Sequence, residues 1–111
     1  MSRSVLYLAI AIVSEVTATM SLKASDGFKH LMPSVLVVVG YASAFYFLGL
    51  TLKSIPLGVA YAVWSGLGTA LLVLLGAVVY KQSLQPTVIA GIVLIVAGVV
   101  LVNLGGGESV N

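Results

Sequence analysis

The chain has 111 residues, of which 60% are hydrophobic and only 7% are charged. About a quarter of the residues of a soluble domain are charged, so this composition excludes an ordinary water-soluble fold and favours a membrane protein. Five basic residues against three acidic ones give a net charge of +2, too small for the basic surface that nucleic-acid binding requires. The sequence contains no cysteine, which excludes disulfides, thiolate chemistry and cysteine-ligated metals.

Four apolar runs follow one another along the chain, and each is close to the roughly 20 residues that cross a bilayer as a helix. A membrane β-barrel would instead show shorter segments in which polar and apolar residues alternate. The sequence therefore predicts an all-α integral membrane protein with four transmembrane helices in a single domain, residues 1–111. The predicted helices cover residues 4–22, 33–52, 56–79 and 86–104, and a polar tail covers residues 105–111.

The first helix carries one charged side chain, Glu15, near the middle of its apolar run. A carboxylate at that depth costs about 2.5–3.5 kcal/mol on insertion scales, and such residues usually have a function. Small side chains on the same helical face leave room for a ligand or for a neighbouring helix. Every Lys and Arg lies in a loop or at a helix end, so a buried ion pair is not expected. We therefore predict that Glu15 is a titrating, cation-binding group.

The second and third helices add aromatic residues near the middle of the membrane. Tyr41 carries a hydroxyl group that needs a partner at this depth. Tyr61 and Trp64 lie one turn apart on helix three, away from the interfaces where aromatic belts occur. Such a pair alone is more typical of helix packing. Beside a buried carboxylate it is suited to bind a lipophilic cation through cation–π attraction. Gly66 and Gly68 follow, where a transmembrane helix can bend.

The fourth helix has a different composition. Its polar residues, Thr87 and Asn103, lie near its ends. Gly91 and Gly98 are seven residues apart on one face, where small residues permit close contact between helices. This pattern predicts a helix for assembly, whose side chains do not take part in the chemistry of Glu15.

The basic residues are divided almost evenly between the two sides of the membrane. An even number of helices puts both termini on one side, together with Arg3 and Lys53. Lys23, Lys29 and Lys81 lie on the other side. A fixed orientation normally shows a clear Lys/Arg excess on the cytoplasmic side. The near-tie predicts insertion in both orientations and an antiparallel homodimer, similar to the inverted repeats of larger transporters. A single, weakly specified orientation is the alternative.

Several motifs together resemble the small multidrug resistance family, whose members are bacterial inner-membrane exporters. These motifs span nearly the whole chain: Glu15-Val-Thr-Ala-Thr, Lys23-x-Ser-Asp-Gly-Phe, Pro33-Ser, Ile55-Pro-x-Gly-Val-Ala-Tyr-Ala-Val-Trp-Ser-Gly-x-Gly68, and Gly91-x-x-Leu-Ile-x-x-Gly-Val-x-x-x-Asn-Leu104. The resemblance implies an antiparallel homodimer that exchanges protons for cationic drugs through one membrane-embedded glutamate per subunit, here Glu15.

The resemblance also implies roles for other residues. The substrate-binding aromatics are Tyr7, Tyr41, Tyr61 and Trp64. The conformational hinge is formed by Gly66 and Gly68, and the dimer packing residues are Gly91 and Gly98. Lys23 is interpreted as an anchor at the membrane interface. The expected partners are an organic cation, protons, membrane lipid and a second copy of the chain, without nucleic acid, cofactor or metal.

One position separates the two main branches of this family. Guanidinium exporters typically have a tryptophan three residues after the glutamate, where this chain has Ala18. The small residue resembles the branch that exports quaternary ammonium compounds. We therefore predict a proton-coupled antiporter in which protons and substrate compete for the paired Glu15 carboxyls, because burial and like charge disfavour their ionisation. A guanidinium or polyamine exporter and a non-transporting membrane subunit are the alternatives. An enzyme is not expected.

Overall fold

A computed structural model describes residues 3–106, which form four α-helices joined by short loops. The helices are α1 (Arg3–Ala24), α2 (Leu31–Thr51), α3 (Leu57–Val79) and α4 (Pro86–Gly106). All four are long and apolar enough to cross a membrane. The predicted all-α fold with four transmembrane helices is confirmed. The antiparallel dimer stays a prediction, and most of the predicted polar tail lies outside the described residues.

Prolines mark the starts of three helices, although not in the same way. Pro86 is the first residue of α4, and Pro56 is the residue that caps α3, with φ −54°. Helix α2 begins at Leu31, two residues before the predicted start at Pro33. A proline in the first turn costs no helical hydrogen bond, because the amide groups there have no partner inside the helix. The helix can therefore begin before Pro33.

Helix α1 packs most extensively against α2 and also contacts α3, while α4 packs against α3. The buried core is apolar and centres on α1 and α3; its members include Leu8, Ile12, Val16, Val63 and Trp64. Most residues of α4 are exposed in the single subunit, and Val99 is its one buried side chain within the described part of the helix. Helix α4 therefore leaves a large apolar surface for lipid or for another subunit.

Helices α1 and α2 approach closely where Ala18 meets Gly40. Ala18 is fully buried, and a Cβ atom added to Gly40 would lie 2.7 Å from the Cβ atom of Ala18. It would also lie 3.1 Å from the carbonyl oxygen of Ser14. Small residues allow this approach of two transmembrane helices. The close crossing places the centre of α1, including Glu15, beside the face of α2 that carries Tyr41.

Candidate functional site

Glu15 is half-buried near the middle of α1 and lies against the backbone of α3. A Cβ atom added to Gly68 would contact Glu15 Oε1 and would lie 3.5 Å from its Cδ atom. Among residues 3–106 the only ion pair joins Lys29 to Asp26, 3.9 Å apart and exposed. Glu15 therefore has no basic partner in the described chain. The same residues contain no group of three His, Asp or Glu side chains that could hold a metal.

Two hydroxyl groups connect Glu15 to helix α2. The Thr19 hydroxyl donates a hydrogen bond to Glu15 Oε2 at 2.9 Å. The Thr19 and Tyr41 hydroxyl oxygens are 2.5 Å apart. A threonine hydroxyl has one hydrogen, so Tyr41 donates to Thr19 while Thr19 donates to Glu15. Thr19 is not among the site residues predicted from the sequence, and its i, i+4 spacing from Glu15 is the signal that points to it.

Trp64 stands at the centre of an aromatic cluster formed by α2 and α3. Its ring centroid is 5.4 Å from that of Tyr61 and 5.7 Å from that of Phe45. Trp64 is only 8% exposed, and its Nε1 atom is buried without a hydrogen-bond acceptor in the described residues. Trp64 and Gly68 are one turn apart, so they share a face of α3. The structure therefore brings Tyr61 and Trp64 together on the face that meets Glu15.

Tyr7 lies apart from this group. It is two turns before Glu15 on α1, about 12 Å along the helix axis at 1.5 Å per residue. Its ring packs against Phe47, with centroids 5.9 Å apart, and Phe47 also contacts Tyr46 at 5.3 Å. Within one subunit Tyr7 thus belongs to a second aromatic cluster between α1 and α2. Its predicted role in substrate binding stays a prediction.

The two glycines of the predicted hinge lie in an unbroken helix. Helix α3 continues through both Gly66 and Gly68. A Cβ atom added to Gly66 would lie 2.6 Å from Val99 Cγ2 and 3.3 Å from Ile95 Cγ2 of α4. Both glycines therefore permit close approach, Gly66 to α4 and Gly68 to Glu15. A hinge at these positions stays a prediction.

The two glycines of α4 are not used in packing within the subunit. A Cβ atom added to Gly91 or Gly98 would meet no atom within 4 Å in the described chain. Gly98 borders a groove of about 380 Å³ between α3 and α4. The groove also contains Ser65 and Thr69, whose hydroxyls donate to backbone carbonyls one turn earlier. The predicted role of Gly91 and Gly98 in a dimer remains open to test.

Comparison with known proteins agrees with this arrangement of membrane helices. Residues 3–95 match the family described as Small Multidrug Resistance protein. Over 99 residues the chain is 54% identical to the quaternary ammonium compound-resistance protein QacE of Escherichia coli, covering 89% of this chain and 90% of that protein. It is 52% identical over 99 residues to the multidrug resistance protein EbrA of Bacillus licheniformis, covering 89% and 94%. It is also 52% identical to the quaternary ammonium compound-resistance protein QacF of Klebsiella aerogenes, covering 89% and 90%. The chain therefore belongs to the small multidrug resistance family and is a multi-pass protein of the bacterial inner membrane.

Proposed function

We propose that the protein is a proton-coupled antiporter that exports lipophilic quaternary ammonium cations. The observation that carries this proposal is the setting of Glu15, near the middle of a transmembrane helix with hydroxyl neighbours but no basic partner in residues 3–106. An ionised carboxylate in an apolar environment is costly without a counter-charge. A proton or an organic cation supplies that charge. Two relatives at 52–54% identity are named for resistance to quaternary ammonium compounds, which supports the substrate class.

The proposed site contains two copies of Glu15, contributed by an antiparallel homodimer. The near-even distribution of basic residues supports two orientations, and the exposed α4 offers a surface for assembly. Burial and like charge both disfavour two ionised carboxylates in one pocket. Protons and one organic cation therefore compete for the pair, so that binding of the cation expels protons.

Coupling requires that the substrate and the proton prefer different states of the dimer, because a ligand shifts an equilibrium only by its differential affinity. Exchange between two mirror-related states of an antiparallel pair would open the site to one side and then to the other. The glycines at positions 66 and 68 are the proposed flexible points of α3 in this exchange.

The aromatic residues form the proposed walls for the organic cation. Tyr61 and Trp64 are in tilted ring contact on the face of α3 that meets Glu15, and Tyr41 reaches Glu15 through Thr19. A cation close to an aromatic ring face gains about 0.5–2 kcal/mol, depending on its desolvation. Tyr7 is proposed to contribute from the other aromatic cluster as the dimer assembles.

Residue 18 supports quaternary ammonium rather than guanidinium as substrate. Ala18 is fully buried against Gly40, so the residue adds no bulk or hydrogen-bonding group to the site. Competition of guanidinium and of a polyamine against bound tetraphenylphosphonium tests this preference. Weak competition by both is expected. If guanidinium displaces tetraphenylphosphonium at lower concentrations than a quaternary ammonium compound does, the chain would be assigned to the branch of guanidinium exporters.

The experiment that tests the proposal is transport in proteoliposomes with an imposed pH gradient. Wild-type protein is expected to move tetraphenylphosphonium against its gradient, and Glu15→Gln is expected to abolish this movement. Asp26→Asn is the matched control, because that carboxylate is exposed in the first loop. Proton-driven export by Glu15→Gln would refute the proposal. Absence of proton release when tetraphenylphosphonium is added to the solubilised wild type would favour a non-transporting subunit.

A further inference from the structure

A line of residues connects Glu15 with the end of α1. Residues four apart share a helix face. On α1 this face carries Glu15 in the middle of the helix, then Thr19, and then Lys23 in the last turn. The facing residues of α3 and its C-terminal cap are also four apart: Gly68, Leu72, Gly76 and the capping residue Tyr80. The interface between α1 and α3 therefore runs from the carboxylate to the membrane surface.

A cavity of about 170 Å³ occupies the outer half of this interface, and we refer to it as the entry pocket. It is lined by Thr19, Met20, Lys23, Leu72, Gly76, Tyr80 and Gln82. Gly76 makes room for the Gln82 side chain, since a Cβ atom at Gly76 would lie 2.6 Å from Gln82 Oε1. Sites for small organic ligands usually measure about 300–1,000 Å³, whereas one water takes about 30 Å³ of liquid volume. The entry pocket is thus sized for a few waters and not for a bulky organic cation.

The outer rim of the entry pocket is held by specific contacts. The Tyr80 hydroxyl donates to the carbonyl oxygen of Met20 at 3.2 Å. The Lys23 ammonium lies 5.1 Å from the centre of the Tyr80 ring. The backbone amides of Tyr80 and Gln82 both donate to the carbonyl oxygen of Gly76, at 3.0 and 3.2 Å. These contacts join the end of α1 to the end of α3 and keep the rim at a defined width.

Thr19 is placed to pass a proton between this pocket and Glu15. Its single hydrogen goes to Glu15 Oε2, and one of its two oxygen lone pairs accepts from Tyr41. Within residues 3–106 no donor reaches the second lone pair, and the side chain lines the entry pocket. A pocket water is therefore a suitable donor to Thr19 Oγ1.

We propose that the entry pocket is a water site through which protons reach Glu15, with the Thr19 hydroxyl as the relay. A hydronium in the pocket gives a proton to Thr19 Oγ1 while the original hydroxyl hydrogen moves to Glu15 Oε2. The products are one water and a neutral carboxyl group, and proton release follows the reverse path. This inference rests on the proposed proton coupling, and it separates the path of the proton from the larger space that admits the organic cation.

The charged and titratable groups around this path are few. Tyr41 faces it from α2 through Thr19. Helix α3 presents Gly68 to the carboxylate, and Tyr80, which caps α3, lies at the rim. Lys23 is the charged group of the rim, and it is exposed, so solvent and salt screen its field. A change at Thr19 therefore acts on the proton transfer itself.

Thr19→Val and Thr19→Ser form the principal test, because valine keeps the branched shape without the hydroxyl and serine keeps the hydroxyl. Proton uptake by the solubilised protein is followed after a rapid fall in pH with an indicator dye. Since a positioned proton-transfer group contributes about 10²–10⁴-fold in rate, Thr19→Val is expected to slow uptake at least about tenfold. Thr19→Ser is expected to retain the wild-type rate. Affinity for tetraphenylphosphonium is measured at a pH high enough that a further rise in pH no longer increases it. In both variants this affinity is expected to change far less than the uptake rate of Thr19→Val.

Leu72→Phe tests the pocket without touching Thr19. The added ring would occupy the space of the pocket waters and is expected to slow proton uptake. Leu74→Phe is the matched control on the same helix, because Leu74 lines a different cavity of about 90 Å³ together with residues of α4. The control is expected to take up protons at the wild-type rate.

The outcomes separate this inference from the proposed function. If wild type releases protons on binding tetraphenylphosphonium while Thr19→Val and Leu72→Phe take up protons at the wild-type rate, the entry pocket is refuted and the antiporter stands. Equal losses of uptake rate and affinity in Thr19→Val, with Leu72→Phe unaffected, would show a structural role for Thr19 and also refute the relay. If wild type itself releases no proton, the proposed function fails.

Discussion

Gly68 of α3 lies directly against the carboxylate of Glu15 in α1, so closely that a single methyl group at position 68 would overlap Glu15 Oε1. The same carboxylate accepts a hydrogen bond from Thr19 through its other oxygen, at 2.9 Å. The two contacts hold the carboxyl group between α1 and α3 and fix its orientation. Glycine at this position is therefore required by the geometry of the site as much as by any bending of α3.

Gly68→Ala is expected to weaken substrate binding with little loss of stability. The added Cβ would meet the end of a flexible side chain, which can move, but the moved carboxylate would lie farther from the bound cation. At an effective dielectric constant of about 20, moving a charge from about 4 to about 5 Å from its partner weakens the attraction by about 0.8 kcal/mol, so tetraphenylphosphonium affinity should fall roughly fourfold. Isothermal titration of the solubilised protein measures this change.

Gly49→Ala is the control for this substitution. Gly49 lies in α2, and a Cβ atom there would meet nothing within 4 Å. Alanine is favoured over glycine in helices by about 0.8–1.0 kcal/mol, so this variant should bind normally and be slightly more stable. Equal affinities for Gly68→Ala and Gly49→Ala would contradict the proposed contact.

The contact between Gly66 and Val99 is expected to control the packing of α4 on α3. Gly66→Ala would place a Cβ atom 2.6 Å from Val99 Cγ2, and overpacking of this kind costs about 1–3 kcal/mol. The double variant Gly66→Ala/Val99→Ala removes the clashing methyl group and should recover part of that stability. A double-mutant cycle of unfolding free energies in mild detergent measures the coupling. If the two substitutions have additive effects on the free energy of unfolding, positions 66 and 99 are not in close contact and α4 moves freely relative to α3.

The helices and Glu15 can be predicted from the sequence because the bilayer imposes simple constraints. A spanning segment must satisfy its own backbone hydrogen bonds, so four apolar runs of sufficient length become four helices. A charge inside such a run is costly enough to identify Glu15 without knowledge of its neighbours. Helix ends are less well defined, as the early start of α2 before Pro33 illustrates.

The contacts between helices could not be predicted in the same way. A helix that is apolar on all sides gives no strong indication of which face meets a neighbour. The positions of Thr19 between Glu15 and Tyr41, and of Ala18 against Gly40, depend on the rotation of α1 relative to α2. Likewise, the spacing of Gly66 and Gly68 indicates flexibility, whereas the structure shows two close contacts in a continuous helix.

Gly98→Leu is expected to impair assembly while leaving the subunit fold intact. The position has no atom within 4 Å of an added Cβ in the described subunit, so leucine can be accommodated there until a partner approaches. If α4 packs against α4 of a second copy, the bulky side chain should weaken the dimer at least about tenfold, or 1.4 kcal/mol. Energy transfer between labelled subunits in liposomes measures the dimer. Gly49→Leu is the size-matched control, and an unchanged dimer in Gly98→Leu would contradict a role for this face.

The distribution of basic residues predicts that a few substitutions fix the orientation of the protein. The variant Lys29→Ser/Lys81→Ser keeps Arg3 and Lys53 on the side of the termini and only Lys23 on the opposite side. Because the side with more basic residues is normally cytoplasmic, the termini should become cytoplasmic. The reverse variant, Arg3→Ser/Lys53→Ser, leaves three basic residues on the opposite side and should place the termini outside. Fusions of alkaline phosphatase and of green fluorescent protein to the carboxyl terminus report the two orientations. Both fusions should be active in the wild type, and only one in each variant.

Function gives a stricter test of the same variants. If the site needs two oppositely inserted copies, each variant alone should lose resistance to quaternary ammonium compounds, because the matching orientation is missing. Co-expression of the two variants should restore resistance, since each supplies the orientation that the other lacks. Lys29 and Lys81 lie in loops, and the exposed Lys29–Asp26 pair contributes about 0–1 kcal/mol, so loss of folding does not account for the expected result. Full resistance from either variant alone would show that parallel copies, or a single orientation, suffice for transport.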